Sequence, residues 1–234
     1  PIPDAARPAG GGDGHMTVVT PDGWEYDFWQ VRRKPAGGGT LTFSWGGRLR
    51  IDGDGLGGRG TASHFGNLAG MIRAQELAAA RIRHALFVVI RCAGTGSWFG
   101  HGVTSRGQSA YVYPARGGGA PCPPGTIAPP LGARLQLTMS RRQIDALPVP
   151  AWKKAILRAL ARYGGYVGDT GGDGINFMFE SSTMYTSFGF PDPLVSFARA
   201  AGVPRSVGGR HVFDVASGVD WRRYLRVVPP PSPR

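Results

Sequence analysis

A mainly β fold, a β-sandwich or jelly roll with a few packed helices, is what this sequence predicts. Most of its patterned segments are short runs rich in β-branched and aromatic residues, closed by Gly, Pro or Asp turns. Glycine (38) and proline (20) make up about a quarter of the 234 residues, which suits short strands and poorly suits a helical bundle. Helical patterning is confined to three segments.

The strands are predicted in order at His15–Thr20, Trp24–Arg32, Gly39–Trp45, Arg48–Asp52, His84–Arg91, Ala110–Tyr113, Arg134–Thr138, Tyr166–Asp169 and Ile175–Glu180. Gly46-Gly47, between Trp45 and Arg48, reads as a tight hairpin turn. Ala151–Tyr163 has apolar residues at helical spacing, follows Pro150 and stops at Gly164, so it is predicted as a helix. Leu68–Ile82 is alanine-rich and helical in part, and Pro193–Ala201 is the third helix. The chain divides into a flexible segment 1–12, a single β-sandwich domain 13–228, and a Pro-rich tail or linker 229–234.

A hydrophobic content of 41% is too high for a disordered chain. The longest apolar run, Ala85–Ile90, is strand-sized, so no membrane span is expected. The formal charge of +12 favours anionic partners, an anionic polysaccharide or cell-wall surface among them. Nucleic acid is not expected as a partner: no zinc-finger spacing, basic heptad region or aromatic RNA-binding signature is present. Cys92 and Cys122 are too few for a zinc site and lack a nucleophile motif. The N-terminal Pro-Ile-Pro-Asp-Ala-Ala reads as a processed or trimmed terminus, and secretion is expected, where the two cysteines would be bridged. A monomer is expected.

Glu25, Asp27 and Trp29 alternate with Trp24, Tyr26 and Phe28, so two carboxylates and an indole share one strand face. Such a face can line a sugar cleft, with the ring stacking and the acids contacting hydroxyls or doing chemistry; it can equally be an outer face with incidental charges. Asp169, where a strand meets a glycine-rich loop, is either a catalytic acid or a turn aspartate capping its own backbone. Glu25 with Asp169 is the first carboxylate pair, and Glu25 with Asp27 the second. His15, beside Asp13, and His84, at the start of an apolar strand, could orient a carboxylate, donate to a leaving group or bind metal. His64, His101 and His211 lie in glycine-rich loops and are expected to face water, and Glu76 to lie on a solvated helix face. Asp13, His15 and His84 would bind metal only if they met; no metal and no cofactor is expected. No Gly-x-Ser-x-Gly elbow and no phosphate loop is present.

Seven segments, taken in order, are Asp13-Gly14-His15, Trp24-Glu25-Tyr26, His84-Ala85-Leu86, Tyr111-Val112-Tyr113-Pro114-Ala115, Pro129-Pro130-Leu131-Gly132-Ala133-Arg134, Leu160-Ala161-Arg162-Tyr163-Gly164 and Val167-Gly168-Asp169-Thr170-Gly171. In that order they resemble a family of secreted soil-bacterial proteins associated with polysaccharide breakdown. The resemblance covers residues 13–180; Thr170 stands where that family has Asn, and the stretch 48–67 is shortened and glycine-rich. It implies a secreted β-sandwich and fixes no substrate. Together these readings predict a secreted glycoside hydrolase. Glu25, Asp169, Asp27 and His15 would be catalytic, and Trp29, Tyr26, Trp45, His84 and Arg134 would bind substrate. A polysaccharide lyase acting on a uronate glycan and a non-catalytic carbohydrate-binding module are the alternatives.

Overall fold

The computed structural model describes residues 2–32, 40–94, 103–104, 109–206 and 208–228. The predicted tail at 229–234, the glycines at 37–39, and His101 lie outside them.

β1 (Met16–Val19), β2 (Trp24–Trp29) and β3 (Trp45–Arg50) form an antiparallel three-stranded sheet in that order. The hairpin expected at Gly46-Gly47 is not there. Both glycines lie inside β3, which pairs with β2 from Trp24 opposite Arg50 to Trp29 opposite Trp45. Close packing explains them: a Cβ on Gly46 would lie 2.8 Å from the Phe28 ring, and one on Gly47 2.9 Å from Arg59. β3 thus takes in Arg48–Arg50 of the strand predicted at Arg48–Asp52, while of the strand predicted at Gly39–Trp45 only Trp45 belongs to it and residues 40–44 are not strand.

α1 (Ala74–Ala78) is the helical part of the alanine-rich segment, and β4 (Leu86–Ile90) is the expected apolar strand. A short ribbon, β5 (Val103–Thr104) with β6 (Ala110–Tyr111), follows, and then β7 (Arg134–Leu137). α2 (Arg141–Ala146) begins at a reciprocal cap, in which Ser140 Oγ accepts from the Gln143 N–H and Gln143 accepts from the Ser140 N–H. α3 (Ala151–Arg162) runs from Pro150 to Gly164, whose φ of +76° lets the chain turn back into β8 (Gly165–Thr170). β9 (Ile175–Phe177), α4 (Thr183–Thr186), α5 (Pro193–Ala200), α6 (Trp221–Tyr224) and β10 (Leu225–Val228) complete the described chain.

The second large sheet has the order β10-β7-β8-β4-β9. Its central pair, β4 with β8, is parallel and its other pairs are antiparallel. The chain is therefore built mainly on sheet with a few helices, and the sheets stay open. The jelly roll is the point of departure, since that arrangement is antiparallel throughout. The apolar side of α3 (Trp152, Ile156, Leu157, Leu160) packs in the main core with Leu86, Val88, Leu135 and Val167 of the sheet. A smaller core joins Met16 and Val31 to Ala6, so the N-terminal segment lies against the three-stranded sheet.

Cys92 and Cys122 are bridged. The bond fastens the end of β4 to the Pro-rich loop, where Cys122 N–H also donates to the Ala93 carbonyl at 2.9 Å. Replacing both cysteines by Ala should lower unfolding free energy by roughly 3–4 kcal/mol, read from denaturant melts. An unchanged midpoint would mean that the crosslink restricts nothing the fold does not already hold.

Candidate functional site

One cleft of about 470 Å³ gathers Asp13, His15, Trp29, Trp45, Arg59, His64, Asp169 and the backbone of Gly117 to Gly119. Four sequence-predicted residues meet there: Asp169, His15, Trp29 and Trp45. Trp29 and Trp45 are cross-strand partners on β2 and β3, which sets their rings on the same side of the sheet. The Trp29 indole N–H donates to Asp13 Oδ1 at 3.1 Å, fixing that carboxyl at the rim.

Asp169 stands near the end of β8, half-buried, with the Thr170 N–H donating to its Oδ1 at 2.8 Å. Burial pushes its carboxyl up to about 6, and the nearby Asp13 charge adds to the rise. His15 is held below its ordinary value chiefly by burial, while its ring bonds to the Gly60 carbonyl. Its Nδ1 is buried without a hydrogen-bond partner among the described residues. His64 does not simply face water: it lines the cleft, and burial with Arg59 and Arg116 keeps its imidazole neutral-leaning. His211 also departs from that expectation, with Nδ1 at 2.8 Å from the Val203 carbonyl oxygen.

Glu25 and Asp27 do not line this cleft. They share the predicted face of β2, but the segment 58–68 covers it, leaving them 4% and 0% exposed. Glu25 Oε1 accepts the Leu68 N–H at 3.0 Å; Asp27 accepts the Asn67 N–H at 2.9 Å and the Thr17 hydroxyl at 2.7 Å. The glycines of the covering loop make this fit: a Cβ on Gly58 would lie 2.5 Å from Asp27 Oδ2. The two carboxyls also hydrogen-bond to each other, and burial followed by the Glu25 charge pushes Asp27 up to about 7. The structure thus joins Glu25 to Asp27 and leaves both out of the lining of the cleft that holds Asp169. Their oxygens anchor the loop that carries Arg59, Thr61 and His64 into the cleft.

The remaining predicted residues lie elsewhere. Tyr26 is on the opposite face of β2, across from Val18 and Arg48. His84 pairs with Glu76 at 2.9 Å, and Glu76 also caps the Arg73 N–H, so neither is simply solvated. Arg134 donates to Gln136 and to the Tyr163 carbonyl, tying β7 to the end of α3. Asp13, Arg59 and His64 are the cleft residues that sequence reasoning did not place there. Asp13 had a signal in its position beside His15; Arg59 and His64 had none beyond glycine-rich neighbours. Among the described residues no group of three or more His, Cys, Asp or Glu could hold a metal ion. Among them too, no helix is long and apolar enough to cross a membrane.

A raised carboxyl holds a proton in the folded chain that the unfolded chain releases near the ordinary value of 3.8. Asp27 therefore stabilises the fold fully below that pH, and its contribution is lost as pH rises through about 7. His15 and His64 act in the opposite sense below their ordinary 6.5, so the comparison with a variant isolates Asp27. Asp27→Asn keeps an acceptor for the Asn67 N–H and a donor toward Glu25. Relative to wild type it should gain roughly 2–4 kcal/mol in stability between about pH 4 and pH 8, read from urea melts at each pH. A constant difference across that range would show that Asp27 ionises as it does in the unfolded chain.

Compared with known proteins, the chain matches no family model, no curated sequence and no solved structure.

Proposed function

We propose that the chain is a secreted glycoside hydrolase that cleaves a polysaccharide in the cleft between the tryptophan pair and Asp169. The observation that carries this reading is the pairing, in one cleft, of a carboxyl raised to about 6 with a second carboxyl and two indole rings. Hydrolysis at a glycosidic bond needs one carboxyl that still holds its proton and a second that acts on the opposite side of the anomeric carbon. Asp169 fits the first role. Its proton passes to the leaving oxygen as the glycosidic bond breaks. Asp13 fits the second, either taking a proton from the attacking water or attacking the anomeric carbon itself; the separation of the two carboxyls with substrate bound decides which. Water supplies hydroxyl to the anomeric carbon in either course. Trp29 and Trp45 supply apolar surface for a pyranose ring.

In this reading Asp13 replaces Glu25 as the partner of Asp169, and Glu25 and Asp27 act indirectly by holding the cleft loop. The disulfide agrees with export to an oxidising compartment. The test is product analysis over neutral and uronate-bearing polysaccharides. New reducing ends without ultraviolet absorbance are expected. Unsaturated ends would mean a lyase, and retention without products would mean a binding module.

A further inference from the structure

The cleft has a cationic side that hydrolysis of a neutral glycan does not use. Arg59 lines the cleft and Arg116 stands at its edge, next in sequence to the lining Gly117; their loops are stitched together by the Arg116 N–H donating to the Ser63 carbonyl at 3.0 Å. The charges of both act on His64, which is held at a left-handed φ of +63°. The Gly117 backbone presses on its ring so closely that a Cβ there would come within 2.9 Å of His64 Nε2. Both guanidiniums are exposed, and neither has an ion-pair partner among the described residues. Arg59 also lies over the Trp45 ring, 5.8 Å from its centroid, so its charge is held on the cleft wall beside the stacking surface. The cleft carboxyls, Asp13 and Asp169, are not paired with either arginine.

Resting on the reading of this cleft as a polysaccharide site, we propose that its substrate is an acidic polysaccharide, a uronate-bearing glycan whose carboxylate is received by Arg59 and Arg116. A guanidinium presents parallel N–H donors that match a carboxylate, and two of them whose charges act on one neutral-leaning imidazole give an anion subsite without a metal. An indole under one of them offers a sugar ring its apolar face while the same sugar's carboxylate meets the cation.

The test is affinity electrophoresis of the whole chain in gels containing polygalacturonate, alginate or glucuronan, each beside the same polymer after its carboxyls are reduced to alcohols. At least one acidic polymer should retard the protein, its reduced form much less, and retardation should fall as salt rises. Arg59→Gln and Arg116→Gln should each weaken retardation by roughly tenfold in apparent affinity. An Arg142→Gln/Arg222→Gln variant, altered at exposed arginines outside the cleft, should behave as wild type and so controls for the +12 charge of the chain. Equal losses from the cleft and the remote variants would overturn the proposal. Retardation by reduced polymers alone would overturn it while leaving the cleft reading intact. No retardation by any polymer would end both.

Discussion

Asp169→Asn should lower turnover by about 10²–10⁴-fold, the usual contribution of a positioned general acid. The substitution removes the proton that the leaving oxygen needs and keeps an oxygen for the Thr170 N–H, so thermal stability should hardly change. Wild-type activity should fall as pH rises through about 6, because the acid is lost on ionisation. Asp13→Asn should remove the second carboxyl and also let Asp169 ionise more easily, since the nearby like charge is gone. The two variants then differ in a testable way: the first abolishes the alkaline limb and the second shifts what remains of it to lower pH. If Asp169→Asn retains near-full activity and an unchanged pH profile on a cleaved substrate, Asp169 is a loop cap and nothing more.

Gly132→Ala should cost roughly 3–5 kcal/mol, the largest stability loss expected from a single methyl added to a glycine among the described residues. Gly132 has a φ of +83°, which L side chains rarely adopt, and a Cβ there would overlap the Val112 carbonyl oxygen. Its N–H donates to the Val167 carbonyl at 2.7 Å, so the backbone cannot move away without breaking the contact with β8. Because β8 ends near Asp169, the damage should reach the cleft: any Gly132→Ala protein that folds should lose activity as well. Circular dichroism melts measure the first effect. A melting temperature within a degree or two of wild type would show that the segment at 112–115 is free to shift, contrary to its packing.

Local signals explain which parts of this architecture could be read in advance. β4 is a continuous apolar run inside a sheet, paired on both sides, and α3 carries both its helical spacing and its bounding Pro150 and Gly164. The alternation in β2 was legible too, since it is set by the pleat alone. What covers that face was not. The covering backbone comes from Asn67 and Leu68, some forty residues along the chain, and it turns two acids that read as cleft residues into buried anchors. Gly46-Gly47 misled for a similar reason: in local sequence a glycine pair signals a turn, while here Phe28 and Arg59 leave no room for side chains. α2 carried the signal of its reciprocal cap in Ser140 and Gln143, and it went unread because the helix has only six residues. β10 is an edge strand of four residues whose place depends on β7, a pairing across almost ninety positions. Of the cleft, the residues in strands or, like His15, directly beside one could be named, and those of the loop at 59–64 could not. Trp29, Trp45 and Asp169 follow from strand patterning, while Arg59 and His64 arrive through loop contacts that no local pattern encodes.

In the proposed function a glycan occupies the cleft of Trp29, Trp45 and Asp169 and no other surface. The competing concavity is a groove of about 480 Å³ with a mainly apolar lining that includes Met16, Met71, Met178, Phe179 and Phe188. Nuclear magnetic resonance titration of the ¹⁵N-labelled chain with a bound oligosaccharide separates the two directly. Shifts are expected for the Trp29 and Trp45 indole N–H signals and the Gly117–Gly119 and Thr170 amides, with the Met71 and Met178 amides unmoved. Shifts centred on the Met-lined groove, with both indole signals unchanged at saturation, would contradict it.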